Sequence, residues 1–479
     1  MSRVLAVLTI AVFSACTQGT PQQQFIDDAM EAIGGRGRVE AVKTLTLEGE
    51  GVNYNLGQDM KPEASGQQFA VTGYTRQIDV ANGRQRIEQT RTPKFAYFQG
   101  PQPQTQVQGL DGAIAFNVNA QGQPARLAPL AETDRQHELY HHPLKLLRST
   151  LDPKTTVANV RSVGTTRQAD ITTAAGPTVT LTIDAAGAAL SASSKAYHPN
   201  LGDVVMTTAF GDFQDVSGLR LPARFSTTVD DFRTAEIRAA QQTIDTDVGD
   251  LAAPAAIAGS RPPAPPINVV VQPVGKGVWL LAGGSHHTAL IEFSDHLMLV
   301  DAPQSEARTL AVIAKAKETV PNKPLTQVVT THHHFDHTAG LRAAIAEGMD
   351  VITHAGNKEW VEKIASRPHT IQPDTLSKKP TRLVVETVDD EKQFSDQTMT
   401  VQVYHVAGNP HSDTMLMVYV PRERVVIEVD AYSPGSGPHI YAANLLENID
   451  KRKLRVDRIV PLHGTIGSFA DLRKAVPQS

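Results

Sequence analysis

The sequence predicts an α/β domain in its second half, preceded by a mostly antiparallel β domain with one or two helices. Three observations support this division. Short β-type runs dominate the first half, with few helical patterns between them. Residues 252–267 are rich in alanine and proline, which is typical of a semi-rigid spacer. In the second half, several apolar runs end directly at His or Asp, as strands do when they converge side chains on one sheet edge.

Residues 1–16 have the pattern of a secretory signal, with a basic start, an apolar stretch and small residues before Cys16. The apolar stretch is too short for an ordinary membrane-spanning helix. Residues 13–16 resemble a bacterial lipobox, and Cys16 is the only cysteine among 479 residues, so no disulfide framework explains it. We therefore expect a periplasmic protein, lipid-anchored to the outer membrane through Cys16. Cleavage by ordinary signal peptidase is the alternative.

Residues 20–251 are numerous enough to form a core of their own. Helices are predicted over 25–33 and around 132–151, and several β-type stretches lie between and after them. Asn82-Gly83 is a strong hairpin signal between two such stretches. A curved antiparallel sheet of this kind resembles the half-barrel of lipoprotein carriers. The segment contains no chemical motif, so we expect it to serve as a scaffold, a substrate lid or a dimer contact.

The most specific pattern of the chain follows the β-type run 325–330. It has the form His-x-His-x-Asp-His, and imidazoles and carboxylates are ligands of first-row metals. Residues 338–348 suit a helix with Thr338 as N-cap and Gly348 after its end, so the motif lies on a strand-to-helix loop. Residues two apart in an extended loop point the same way. The pattern therefore predicts one metal at His332 and His334, and a second at the Asp336–His337 pair.

Further ligand types stand at the ends of other predicted strands. The run 401–406 leads into a turn that contains His411, and the runs 424–429 and 458–462 end at Asp430 and His463. The run 297–300 ends at Asp301. We expect these side chains to meet the motif at one edge.

These motifs, in this order, resemble the metallo-β-lactamase superfamily over residues 268–479. The resemblance implies an αββα sandwich with its metal site along one edge of two sheets. It also implies seven ligands for two ions: His332, His334 and His411 for the first; Asp336, His337 and His463 for the second; and Asp430 bridging both. Asp301 is similar to the family's carboxylate that steadies the ligand loop without touching metal. Asp430 resembles the glyoxalase II, lactonase and ribonuclease Z branches, since many β-lactamases have Cys or Ser there.

The charges of this ligand set indicate the chemistry. Five neutral imidazoles and two carboxylates leave a positive excess beside two divalent ions, which favours a bridging hydroxide and lowers the pKa of bound water to about 7. We therefore expect hydrolysis of a small ester, lactone, thioester or amide, with Asp336 as the catalytic group that orients water or relays a proton. Nitrogen and oxygen ligands favour two zinc ions per chain, with iron or manganese as alternatives.

Other functions stay open at this point. They are a periplasmic β-lactamase, a mononuclear iron dioxygenase acting on sulfur compounds, and a non-enzymatic lipoprotein whose N-terminal domain binds an apolar ligand. The intact ligand set argues against the last. The formal net charge of −5, the 5% aromatic content and the absence of a basic stripe argue against a nucleic-acid partner. The chain offers no signal for an oligomeric state.

Three histidines near the motif are assigned no ligand role. His286 and His287 lie in a Gly- and Ser-containing loop and are expected to be exposed there, with a substrate-facing position as the alternative. His333 stands between two ligands and is expected to point away from the metals.

Overall fold

The computed structural model describes residues 19–63, 66–97, 100, 102–264, 267–435 and 439–476. The predicted signal and Cys16 lie outside the described residues. Among the helices of the described ranges, none is long and apolar enough to cross a membrane.

The N-terminal domain has fifteen strands in its described residues, and most of them form one large antiparallel sheet. Its strands are β1 (Thr44–Asn55), β2 (Gln67–Asp79), β3 (Arg84–Pro93), β4 (Gln104–Asp111), β5 (Ile114–Val118), β6 (Pro124–Arg126), β7 (Thr156–Val163), β8 (Thr166–Thr172), β9 (Thr178–Ile183), β10 (Ala189–His198), β11 (Gly202–Gly211), β12 (Gln214–Val216), β13 (Leu219–Leu221), β14 (Arg224–Val229) and β15 (Phe232–Ile244). Thirteen of them form one sheet in the order β6-β5-β4-β3-β2-β1-β15-β14-β11-β10-β9-β8-β7, and β12 pairs with β13. The predicted hairpin joins β2 and β3, and Gly83 takes the positive φ of 69° that its turn requires.

Four helices accompany this sheet where one or two were predicted: α1 (Pro21–Ile33), α2 (Arg36–Ala41), α3 (Pro129–Tyr140) and α4 (Pro143–Ser149). The single helix predicted around 132–151 is two helices. Pro143 lacks a backbone N–H and disfavours helical geometry in the preceding residue, so His142 is extended with ψ 123° and α4 starts anew. The helices cover an apolar core that contains Phe25, Leu45 and Leu181.

The chain between β15 and the next strand contains the predicted spacer. A short helix, α5 (Ala255–Ala258), lies within it. The C-terminal domain then begins with β16 (Val270–Gly275).

The C-terminal domain has two sheets. The first contains β16, β17 (Val278–Ala282), β18 (Thr288–Glu292), β19 (Leu297–Val300), β20 (Leu325–Val329), β21 (Asp350–His354) and β22 (Val385–Val388), in that order. The second contains β23 (Glu391–Ser395), β24 (Thr400–His405), β25 (Leu416–Val420), β26 (Val425–Glu428), β27 (Arg458–Pro461) and β28 (Gly467–Ser468). Strands β19 to β22 are parallel neighbours, as are β26 and β27, and the other neighbours are antiparallel.

Helices flank both sheets. They are α6 (Glu306–Thr319), α7 (Phe335–Thr338), α8 (Leu341–Glu347), α9 (Lys358–Ser366), α10 (Thr375–Lys378), α11 (Ala442–Lys451) and α12 (Phe469–Ala475), with a 3-10 turn at Ala355–Asn357. Residues from both sheets, such as Val300 and Val418, share one buried core. Helices α6, α8 and α9 pack on the outer side of the first sheet, and α11 and α12 pack against the second. The predicted αββα sandwich and the antiparallel N-terminal domain are confirmed.

The two domains share a packed interface. Leu201 and Val229 of the N-terminal domain belong to the same buried cluster as Trp360 and Ile364 of α9. Asp203 accepts hydrogen bonds from the backbone N–H of Thr370. This interface holds the loop between β1 and β2 beside the ligand residues of the C-terminal domain.

Candidate metal centre

All seven predicted ligands lie at one edge of the sandwich. Among the described residues, two groups have ligand atoms that lie within 4.8 Å of one another: His332, His334, His411 and Asp430, and His286, Asp336, His337 and His463. The edge forms because β19 and β20 run parallel and deliver their carboxyl ends together, as β26 and β27 do. The residues after β24, including His411, reach the same edge, since β24 runs in the direction of β26.

The first group contains an unpaired ligand atom. The Nε2 of His334 donates to the backbone carbonyl of Asp59 at 2.8 Å, which fixes the tautomer and leaves Nδ1 with a lone pair. This Nδ1 is buried and has no hydrogen-bond partner. A buried polar atom without a partner costs about 1–3 kcal/mol, and a cation held with His332 and His411 would satisfy it.

The second group brings two lone pairs face to face. His337 donates from Nδ1 to Asp301 at 3.1 Å, and His463 donates from Nδ1 to the carbonyl of Ser285 at 2.8 Å. In the neutral rings both Nε2 atoms therefore carry lone pairs, and they are 3.1 Å apart. Only a proton or a metal ion between them removes this repulsion.

Asp430 lies between the two groups. Its Oδ2 is 3.1 Å from His411 Nε2, 3.2 Å from His337 Nε2 and 3.3 Å from His332 Nε2, and its Oδ1 is 2.9 Å from His463 Nε2. The residue has a left-handed backbone with φ 52°, which turns the chain sharply after β26. The carboxylate is therefore placed to serve both groups at once.

The electrostatics differ between the groups. Burial lowers the pKa of His332 to about 4 and lowers the pKa of His334 well below its usual value. Burial also acts on His337, but the carboxylates of Asp430 and Asp336 outweigh it and raise the pKa of His337 well above its usual value. The second group thus favours a bound positive charge near neutral pH, and a proton meets that demand when no metal is present.

Asp301 holds the ligand loop in place. Its Oδ1 accepts the backbone N–H of Thr331 at 2.8 Å, and its Oδ2 accepts the Thr331 hydroxyl at 2.8 Å as well as His337 Nδ1. The side chain is fully buried, and its φ of 66° is left-handed, as at Asp430. Asp301 therefore orients a ligand and its loop through contacts that leave the metal position itself free.

A family model described as the metallo-beta-lactamase superfamily matches residues 281–463. The C-terminal domain therefore has the metallo-β-lactamase fold. The matched segment contains all seven predicted ligands and Asp301. The N-terminal domain lies outside it.

Several solved metallo-β-lactamases are similar to part of this chain. The protein from Pontibacter korlensis is 16% identical, with 43% of this chain and 96% of that chain covered and a TM-score of 0.35. The protein from Hirschia baltica is 19% identical, with 44% and 99% covered and a TM-score of 0.35. FIM-1 from Pseudomonas aeruginosa, in its mono-zinc form, is 18% identical, with 43% and 92% covered and a TM-score of 0.34.

The N-terminal domain contributes directly to the site of the metallo-β-lactamase domain. In the loop after β1, the side-chain amide of Gln58 donates to Asp336 Oδ1 at 2.6 Å, and the carbonyl of Asp59 accepts from His334. The carbonyl of Gly57 accepts the backbone N–H of Phe335 at 3.1 Å. One loop of the first domain therefore contacts three consecutive residues of the metal motif.

This contact is close-packed. Gly57 has φ 76°, and a Cβ at this position would lie 2.2 Å from the ring of Phe335, so the loop approaches the motif only because residue 57 has no side chain. In addition, Asn200 donates to the carbonyl of Phe335 at 3.1 Å and to the hydroxyl of Thr338 at 3.0 Å. The short helix α7, which carries Asp336 and His337, is held by both N-terminal segments.

Three functional contacts were missed by the sequence prediction. Gln58 and Asp59 lie in a stretch without any metal-ligand pattern, and no sequence signal pointed to them. His286 was expected to be an exposed loop residue, which is wrong: its side chain is only 12% exposed, and its Nε2 lies 3.1 Å from Asp336 Oδ2. The adjacent His-His pair in a loop after a strand was the signal that could have found it.

Two other predictions near the motif had different outcomes. His333 points away from the ligand groups, as predicted, with its Nδ1 at 3.2 Å from the hydroxyl of Thr414. Thr338 is not the N-cap of the following helix, because the motif itself forms the turn α7 and Gly340 precedes α8. Gly348 follows α8 with φ 100°, as predicted.

Proposed function

We propose that the protein is a metal-dependent hydrolase that holds two zinc ions per chain and acts on a small ester, lactone, thioester or amide. The observation that carries this proposal is the pair of ligand groups joined by the single carboxylate of Asp430. The donor atoms are imidazole nitrogens and carboxylate oxygens without any thiolate, a set that suits zinc.

Seven side chains would hold the two ions. The first position would be formed by His332, His334 and His411, the second by Asp336, His337 and His463, and Asp430 would be shared. Two divalent ions, when bound there, supply a Lewis acid for a carbonyl oxygen and activate water near neutral pH.

The chain's own groups prepare this site for hydrolysis. Burial raises the pKa of Asp336, but His337 and His286 outweigh it and keep the pKa well below its usual value, so the group is a carboxylate. Its Oδ1 is occupied by Gln58, and its Oδ2 faces the ligand group. Because this side chain is 39% exposed, the carboxylate can contact water and is placed to orient it or to accept its proton.

The proposal is tested on the chain without residues 1–16. We expect about two zinc ions per chain by elemental analysis and hydrolysis of at least one member of a panel of lactones, esters, thioesters and β-lactams. Asp430→Ala should lower both zinc affinity and turnover by more than about a hundredfold, because losing a shared ligand exceeds the 10–100-fold cost of losing an outer partner.

A matched control is His296→Ala, at the start of β19 and away from Asp301, which should leave zinc content and turnover unchanged. A wild-type chain that binds no metal would contradict the proposal. One iron per chain with oxygen uptake on a sulfur substrate would support the dioxygenase alternative instead. Hydrolysis confined to β-lactams would make the protein a β-lactamase.

We further propose that the chain is exported and anchored by lipid at Cys16. The support is the sequence pattern of residues 1–16 and the single cysteine. Labelled fatty acid should be incorporated into the wild-type chain and not into Cys16→Ser. Equal labelling of both chains would contradict this anchor.

A further inference from the structure

We propose that His286 is an additional ligand of the second metal position. This inference rests on the metal binding proposed above and assigns a ligand beyond the seven predicted ones. It gives the second position three imidazoles and the carboxylate of Asp336, together with the shared Asp430.

The distances around this position support the assignment. Zinc bonds of about 2.0–2.1 Å in a tetrahedral arrangement place neighbouring ligand atoms about 3.4 Å apart. His286 Nε2 lies 3.1 Å from Asp336 Oδ2, which lies 3.8 Å from His337 Nε2, and that atom lies 3.1 Å from His463 Nε2. The ring centroids of His286 and His463 are 3.9 Å apart. The nitrogen of His286 therefore completes a set of four converging ligand atoms.

Ser285 orients two of these imidazoles. Its carbonyl accepts from His463 Nδ1 at 2.8 Å, and its hydroxyl lies 2.8 Å from His286 Nδ1. The hydroxyl also accepts a hydrogen bond from the side chain of Gln304 at 3.1 Å. A hydroxyl oxygen has two lone pairs, so it can accept a second hydrogen bond from His286 Nδ1. Metal-bound histidines commonly donate their other ring N–H to such a partner. The Nε2 lone pair of His286 then faces the ligand group.

Asp336 is arranged in the same way. Its Oδ1 accepts from Gln58 at 2.6 Å, and only Oδ2 is directed toward His286 and His337. A simple ion pair between His286 and Asp336 would account for one distance, and the 3.1 Å approach of His337 Nε2 to His463 Nε2 would then require a separate proton between them. An ion bound by all four groups accounts for all of these contacts.

The assignment makes the two positions unequal. The second position has five candidate ligands when Asp430 is included, whereas the first has four. Sites filled by protein ligands are typical of structural metals, and sites with an open position are typical of catalysis. We therefore expect the substrate oxygen to bind at the first position.

The test counts imidazoles directly. His411→Ala weakens the first position, and this chain is loaded with one equivalent of zinc or cobalt. X-ray absorption should show three imidazoles at the ion, and two in the His411→Ala/His286→Ala chain. Zinc affinity, measured by competition with a chelator, should fall at least tenfold with His286→Ala and also with His286→Gln, which preserves most of the side-chain volume.

The outcomes separate this inference from the proposed function. Two imidazoles in the His411→Ala chain, or an affinity that is unchanged by both substitutions of His286, would overturn the additional ligand while zinc binding by the wild type persists. Absence of zinc from the wild-type chain would overturn the proposed function itself. His296→Ala serves as the histidine control and should change neither readout.

Discussion

The two proposed metal positions are supported from different parts of the molecule. At the first, the tautomer of His334 is set by the carbonyl of Asp59, a residue of the other domain. At the second, His337 and His463 are oriented by Asp301 and Ser285 of their own domain. The C-terminal domain therefore supplies the hydrogen-bond partners of these two imidazoles itself, and the N-terminal domain supplies the partner of one imidazole at the first position.

This difference gives the N-terminal domain a role that its sequence does not display. It was expected to be a scaffold, a lid or a dimer contact, and its loop after β1 is in hydrogen-bond contact with two of the predicted ligand residues. An outer partner of a metal ligand typically contributes 10–100-fold to metal affinity. Two altered chains allow each position to be measured separately. His463→Ala weakens the second position, so zinc binding by this chain reports on the first. His411→Ala weakens the first position, so zinc binding by that chain reports on the second.

Among substitutions in the N-terminal domain, the largest effect is expected from Gly57→Ala. A side chain with φ 76° costs about 1–2 kcal/mol, and contact with Phe335 adds about 1–3 kcal/mol of overpacking. Retreat of the loop would remove the Asp59 carbonyl from His334. We expect zinc affinity to fall about a hundredfold in the His463→Ala chain, since 1.4 kcal/mol corresponds to tenfold. The fall should be smaller in the His411→Ala chain.

Gly73→Ala is the matched control for this substitution. Gly73 lies in β2 with φ 57°, and a Cβ there would meet nothing within 4 Å. It has a similar backbone cost without the contact to the motif, so it should lower the melting temperature and leave zinc affinity intact. Equal losses of affinity in the two alanine chains would show that the loop acts only through stability.

The pH dependence should also differ between the positions. Because the pKa of His337 is raised well above its usual value by Asp430 and Asp336, zinc must displace a proton from the second position. In the His411→Ala chain, affinity should rise about tenfold per pH unit until the pH passes that raised pKa.

The first position has the opposite character. The pKa of His332 is lowered to about 4 by burial, so protons compete with zinc for this imidazole only near and below that pH. In the His463→Ala chain, affinity should therefore depend less steeply on pH than in the His411→Ala chain between about pH 5.5 and 7.5. Chelator competition at several pH values measures both slopes. Identical slopes in the two chains would contradict the electrostatic difference.

The sequence was sufficient for the parts of the site that are local. The motif places four ligand residues within six positions, and the other predicted ligands directly follow apolar strands or lie in the turn after one, so strand prediction alone brings them to one edge. The same reasoning failed where two local patterns, an N-cap and a preceding helical turn, compete for the same residue. Thr338 has the chemistry of an N-cap, but the motif forms its own helical turn before it.

The rest of the site depends on contacts between distant parts of the chain. Gln58 lies 278 residues before Asp336, and its neighbours show neither a ligand pattern nor a helical or strand period that would place it. Its position follows from the packing of one domain on the other, which includes Leu201 and Trp360. No single-sequence pattern encodes that docking geometry. His286 had a partial signal, but its burial depends on His463 at the other end of the domain.

The smallest effect is expected from Gln58→Ala. The amide of Gln58 donates one hydrogen bond to Asp336 Oδ1, and a bond to a charged group contributes about 1.5–3 kcal/mol when buried. Asp336 is 39% exposed, so water can replace this donor in part. We therefore expect a loss of about threefold to tenfold in zinc affinity, measured by chelator competition in the His411→Ala chain.

The same substitution should leave the His463→Ala chain unchanged, because Gln58 contacts Asp336 and the first position is held through the backbone of Asp59. Gln168→Ala is the matched control, since Gln168 donates to Thr182 within the N-terminal sheet and has no contact with the motif. If Gln58→Ala weakened both positions equally, the loop would support the two ions as one unit. The proposed difference, in which the second position depends mainly on the C-terminal domain and the first on the N-terminal domain, would then be wrong. The N-terminal domain would instead support both metal positions.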